Sequence, residues 1–146
     1  MLPSITVSVI TVLLSIGAIW LLSSLMRTAS GTQRPGRAQR NAFQQCEKLL
    51  PQAYLAESCG NVDDAQWKFG QVLAQARLSE DALQLSESLN GLARARMKKG
   101  DGKSAVPLIE EALSLEPQWY TPKPNYSALM RRELEEAKSI AATQAE

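Results

Sequence analysis

The chain of 146 residues contains no histidine. That absence removes imidazole from the possible acids, bases and metal ligands, and with it the Ser-His-Asp hydrolases and most zinc enzymes. Cysteine is nearly as scarce: Cys46 and Cys59 are the only two, too few for a four-ligand metal site. The eight glycines are scattered at turns and form no phosphate-cradling loop. No alternating run of Val, Ile or Tyr follows residue 27, so β signals are lacking. Sixteen Lys and Arg against fifteen Asp and Glu leave a net charge of +1 and no nucleic-acid footprint. These absences exclude the common enzyme schemes, and the expectation is a non-enzyme with no cofactor, no metal, no nucleic-acid partner and no small-molecule substrate.

Charge is also missing locally. No charged side chain occurs in the first 26 residues, and residues 5–26 hold fifteen apolar residues, six Ser or Thr and one Gly. As a helix this stretch would reach about 33 Å, against about 30 Å for the hydrocarbon core of a bilayer. A cleaved signal peptide would start with a basic residue and carry a shorter apolar run. The expectation is therefore a retained transmembrane anchor over residues 1–27. Arg27, Arg34, Arg37 and Arg40 follow it with no acid before Glu47. The positive-inside bias then makes a single-pass membrane protein, N-terminus out, with its C-terminal part on the cytoplasmic or stromal side. The same arginines suit lipid head groups. Within the span, Ser4, Ser8, Thr11, Ser15 and Ala18 form a small-residue stripe at helical spacing. Ser8, Thr11, Ser15 and Ala18 would let a partner's membrane helix approach closely, or the hydroxyls would bond back to their own helix.

Residues 28–37 read as a polar linker, and residues 38–146 as a helical domain. Turn signals at Cys59-Gly60-Asn61, at Gly100-Asp101-Gly102 and from Pro117 to Pro124 mark out helices near 38–50, 51–59, 63–77, 80–99, 103–115 and 125–143. Pro51 predicts a break or kink. From Leu89 the chain reads Leu89-x-x-Leu92-Ala93-x-x-Arg96, then Gly100, Ala105-x-x-x-Ile109, Ala112 and Pro117. Small residues at 93, 105 and 112 suit a close approach of two antiparallel helices, with Leu89, Leu92 and Ile109 between them. Gly100 suits a left-handed turn and Pro117 a helix stop. This pattern over residues 86–119 resembles the tetratricopeptide repeat, with Leu for Trp, Ala for Gly and Arg96 where Tyr is usual.

Forty positions earlier a weaker copy, 46–79, carries Leu49, Ala53, Gly60, Ala65, Phe69 and Leu73. Extra residues around Ser79-Glu80-Asp81-Ala82 should lengthen the helices at the joint. A capping helix over 125–143 has the stripe Tyr126, Met130, Leu134, Ala137 and Ala141, with Arg131 and Arg132 four residues before Glu135 and Glu136 on a salt-bridged outer face. The fold class expected is all-α: one transmembrane helix followed by a short tetratricopeptide-like solenoid of about two repeats and a cap. Two repeats are fewer than the usual three, so the flanking helices or a partner must supply neighbours.

Adjacent acids at 63–64, 110–111 and 135–136 point different ways on a helix and read as solvated faces, with Asp63 and Asp64 favourable at a helix start. Cys46 and Cys59 read as small buried residues, and Trp67 and Trp119 as packing anchors. In the family that the repeat resembles, the first helix of each pair lines a groove for peptides or helices. Carried over by position, the groove residues are Glu87, Asn90, Arg94, Met97 and Lys98, joined by Tyr54 and Glu57 of the weaker copy. Asn90, Arg94 and Lys98 share one helix face, where Asn can bond main chain and the cations attract carboxylate; the competing reading is that Arg94, Arg96, Lys98 and Lys99 are only cations that favour a helix C-terminus.

The whole arrangement, with "EEALSLEP" at 110–117, is similar to the single-span tetratricopeptide assembly proteins for photosystem I in thylakoid membranes of cyanobacteria and algal plastids. The resemblance implies a non-catalytic adaptor on the stromal face that aids a multi-subunit membrane complex, photosystem I or another photosynthetic one. An accessory structural subunit of a mature complex, or a receptor or ancillary factor in protein import or secretion, would share this architecture.

Overall fold

A computed structural model describes residues 36–144. The expected anchor 1–27, with Ser8, Thr11, Ser15 and Ala18, and nearly all of the linker 28–37 lie outside the described residues. Five α-helices follow: α1 (Arg37–Ser58), α2 (Val62–Ser79), α3 (Ala82–Lys98), α4 (Gly102–Ser114) and α5 (Pro124–Thr143), with a 3₁₀ turn at Glu116–Gln118 before α5. No strand occurs among the described residues, and none of these helices is long and apolar enough to cross a membrane.

Two of the turns repeat the same chemistry forty residues apart. Gly60 (φ 75°) and Gly100 (φ 79°) take the left-handed conformation that a side chain would strain. Behind each, the next residue's N–H donates back into the finished helix: Asn61 to the Ala56 carbonyl at 3.0 Å, Asp101 to the Arg96 carbonyl at 2.9 Å. The same two residues then start the next helix. The Asn61 side chain accepts from the Asp64 N–H and the Asp101 side chain from the Ser104 N–H. The buried positions also repeat, with Ala53 and Ala93, Ala65 and Ala105, and Phe69 and Ile109 all inside. Both halves are thus helix hairpins of one design.

Of the break or kink expected at Pro51, the break is absent: α1 runs through it without interruption, so the separate helices expected at 38–50 and 51–59 are one. Proline deletes one helical hydrogen bond, which leaves the Glu47 carbonyl without its usual donor. Glu47 and Pro51 are both exposed, so the proline lies on the solvent side of α1, while the other side packs Cys46, Ala53 and Ala56 inside. Pro107 sits in α4 on the same terms, exposed, with Lys103 exposed one turn earlier. The extra residues expected at the joint lengthen α2, which has 18 residues against 13 in α4. The joint itself is tight: Glu80 adopts φ 58° and Asp81 caps α3 by accepting from the Gln84 N–H at 2.8 Å.

Each helix packs on its chain neighbours, giving a repeat-like array. In addition α1 touches α3 and α3 touches α5, whereas α2 and α4 make at most a marginal contact. The array therefore curves with α1, α3 and α5 as its inner row. Two glycines permit the closest approaches. A Cβ at Gly91 would overlap the ring of buried Phe69, and one at Gly102 would overlap the α5 backbone at Ala137 and Ala141. Leu89, Ala93, Ala105, Ile109, Ala112, Trp119, Met130 and Ala137 form the larger core. The α5 stripe is buried at Met130 and Ala137, but its exposed face pairs otherwise than expected: Arg131 with Glu116 (2.8 Å) and Lys138 with Glu135 (2.9 Å).

Candidate partner-binding face

The inner row brings the sequence-predicted groove residues together, and it pairs several of them with one another. Arg94 on α3 donates two hydrogen bonds to Glu57 on α1, Nε to Oε1 and Nη2 to Oε2, both 2.8 Å. Its Nη1 lies 3.9 Å from Glu133 on α5. The guanidinium also sits 5.7 Å from the centre of the Tyr54 ring, which meets Phe69 edge-on at 5.4 Å. Asn90 is fully buried and donates to Glu133 at 2.8 Å. Lys98 reaches Glu57 at 3.5 Å from an exposed position. Met97 leaves the face and packs against the α3–α5 core.

The expected face of Asn90, Arg94 and Lys98 therefore exists, but carboxylates of the chain itself occupy Asn90 and Arg94. Burial pushes the Glu57 carboxyl up, yet its hydrogen bonds and charge contacts with Arg94, and then Lys98, outweigh burial and hold it below the ordinary value. Burial opposes the Arg94 charge, and Glu57, with help from Glu133, more than restores it. Glu133 stands above the ordinary carboxylate value because burial outweighs Asn90 and Arg94. Burial also raises the Tyr126 hydroxyl, against a smaller lowering by the neighbouring Arg94 charge and Asn90 side chain. Sequence reasoning missed Glu133. Its signal was an acid set inside an apolar stripe, three residues after Met130 and one before Leu134.

Beside this network lies an open groove of 570 Å³ between α1 and the start of α3. Phe43, Leu50 and Tyr54 form one wall, Leu83 and Glu87 the other, and Lys123 closes the end. Clefts of 360 Å³ and 370 Å³ adjoin it and share Asp81 with it, so the joint between the two hairpins is ringed by accessible surface. Glu87 is half-buried, with Lys123 at 3.5 Å. Burial raises its carboxyl, Lys123 lowers it, and the negative field of Asp81 adds to the rise; the net shift is upward.

Two expectations outside this face are corrected. Trp67 is 62% exposed and is not a packing anchor, whereas Trp119, 7% exposed, packs against Tyr126 at 5.5 Å. The difference is one of partners: Trp119 falls between α3 and α5, while α2 buries Ala65, Phe69, Val72 and Ala76 and turns Trp67 outward. Trp67 lines a 610 Å³ cleft with Gln71, Leu92 and Lys99. Cys59 is exposed because it lies in the α1–α2 turn, and only Cys46 is buried. Cys46 donates to the Val72 carbonyl at 3.6 Å, and burial, followed by the charge of Asp81, pushes its thiol up to about 11.

Compared with known proteins, the chain matches no family model, no curated protein and no solved structure.

Proposed function

We propose that the chain is an adaptor of the tetratricopeptide kind, tethered to a membrane by residues 1–27, which holds a protein partner against the inner row α1, α3 and α5. The observation that carries this reading is the groove of 570 Å³ on that row, where apolar walls meet unevenly compensated charges. Repetition of the Gly60 and Gly100 turns, with the same buried positions around them, supports the repeat family as the source of the scaffold. The sequence resemblance points to assembly of a membrane complex, with photosystem I as the first candidate.

The test is affinity purification of the full chain from solubilised membranes, followed by mass spectrometry. Recovery of subunits of one membrane complex, enriched in its assembly intermediates, is the expected result. Stoichiometric presence in the mature complex would instead make the chain a permanent subunit. Recovery of no membrane subunits would remove the proposal.

A further inference from the structure

The groove beside the Arg94 network is apolar on its walls and negative at its rim. Phe43, Leu50, Tyr54 and Leu83 supply the apolar surface. Around them stand Glu47, Glu80, Asp81 and Glu87, against Lys123 and, at the outer edge, Arg40. The acids are poorly compensated. Among the described residues, Glu87 has Lys123 at 3.5 Å, and no cation lies within 4.0 Å of Glu47, Glu80 or Asp81. Asp81 spends one oxygen on the Gln84 N–H and Glu80 accepts from neutral Gln39, and neither contact removes the charge. Arg94, the cation nearest the groove walls through Tyr54, is occupied: Glu57 holds it and Glu133 approaches it.

We infer that the partner segment taken by this groove is cationic and amphipathic: a helix or extended stretch with bulky apolar side chains for the walls and Lys or Arg reaching Glu47, Asp81 and Glu87. This inference rests on the adaptor reading and specifies its partner. Charge complementarity supplies selectivity and on-rate, and burial of the apolar side chains supplies residence. A cation brought to this rim would also offset the negative field that Asp81 adds at Glu87. The sign is the reverse of the one suggested by Arg94 and Lys98 in the sequence.

The experiment uses the full chain in non-ionic detergent and two synthetic helical peptides with one shared Leu/Phe stripe. One carries Lys and Arg on the remaining face, the other Glu. Binding is followed by fluorescence anisotropy and compared with the variant Glu47→Gln/Asp81→Asn/Glu87→Gln, in which the amide replacing the Asp81 carboxylate keeps a capping oxygen for α3. Circular dichroism checks that the variant is folded, and it carries the same detergent background. The cationic peptide should bind the natural chain at least about tenfold more tightly than the variant, and the difference should shrink as salt rises from about 50 to about 300 mM. Equal binding of the cationic peptide to both chains, or preference for the acidic peptide, would overturn the inference. So would concentration-dependent self-association that disappears in the variant, since the occupant would then be a second copy. If the peptides fail while partners still crosslink to the groove in membranes, only the chemistry of the partner falls and the adaptor reading stands.

Discussion

Arg94 on α3 and Glu57 on α1 share two parallel hydrogen bonds of 2.8 Å, and this pair, with Lys98 of α3 at 3.5 Å from the same carboxylate, links α1 to α3 across the inner row. Glu133 on α5 approaches the same guanidinium at 3.9 Å. The two carboxylates nevertheless stand on opposite sides of the ordinary value, Glu57 below it and Glu133 above it. Opposite stability effects follow.

Glu57→Gln removes a charge that the folded state favours and should cost about 1–2 kcal/mol at neutral pH. Because the folded carboxyl is depressed, that contribution is present above the unfolded value and is lost as pH falls through the folded one. Glu133→Gln keeps an acceptor for Asn90 and removes a charge that the fold disfavours, so it should not lower the melting temperature at pH 7. Any gain should vanish on acidification, where Glu133 itself becomes neutral. Thermal melts of both variants between pH 3 and 8 check the signs; a larger loss for the Glu133 variant would contradict the assignment.

Gly91→Ala improves helix propensity by up to about 1 kcal/mol, yet the new Cβ would overlap the enclosed Phe69 ring. Overpacking of this kind costs about 1–3 kcal/mol, so urea denaturation should show net destabilisation. Adding Phe69→Leu should recover part of the loss, and the two changes should be non-additive.

Trp119→Ala should cost about 3–5 kcal/mol, as expected for an enclosed aromatic. Trp67→Ala should stay within about 0.5 kcal/mol, because an exposed ring away from special geometry contributes little. Calorimetric melting points of the two variants compare them directly. Equal losses would place Trp67 in the core.

Near pH 8 and without denaturant, a thiol reagent should modify Cys59 rapidly and leave Cys46 unmodified. Cys46 is enclosed, with its thiol pushed up to about 11. A colorimetric thiol count should give about one group in the folded chain and two after denaturation; two fast groups would contradict the packing of α1 on α2.

The all-helical class and the hairpins were legible because their signals are local. Gly60 and Gly100 end helices by backbone geometry, Asn61 and Asp101 start them, and small residues at 53, 65, 93 and 105 mark close approach. Continuity through Pro51 was not legible, since it depends on which side of α1 faces solvent. Gly91 was passed over because its role is set by Phe69, 22 residues away on another helix. Residues of the inner row were placed by position, but their availability was misjudged: Arg94 attracts carboxylate as expected, and the carboxylates are Glu57 and Glu133 of the chain itself. Long-range pairing of this kind leaves no periodic trace in a sequence.

Whether the inner row holds the partner is tested most directly by site-specific photocrosslinking of the full chain in its native membrane. With the crosslinker at Phe43, on the groove wall, a defined adduct with a membrane-complex subunit is predicted, and with it at Trp67, in the cleft on α2, none. An adduct from Trp67 with none from Phe43 would contradict the account.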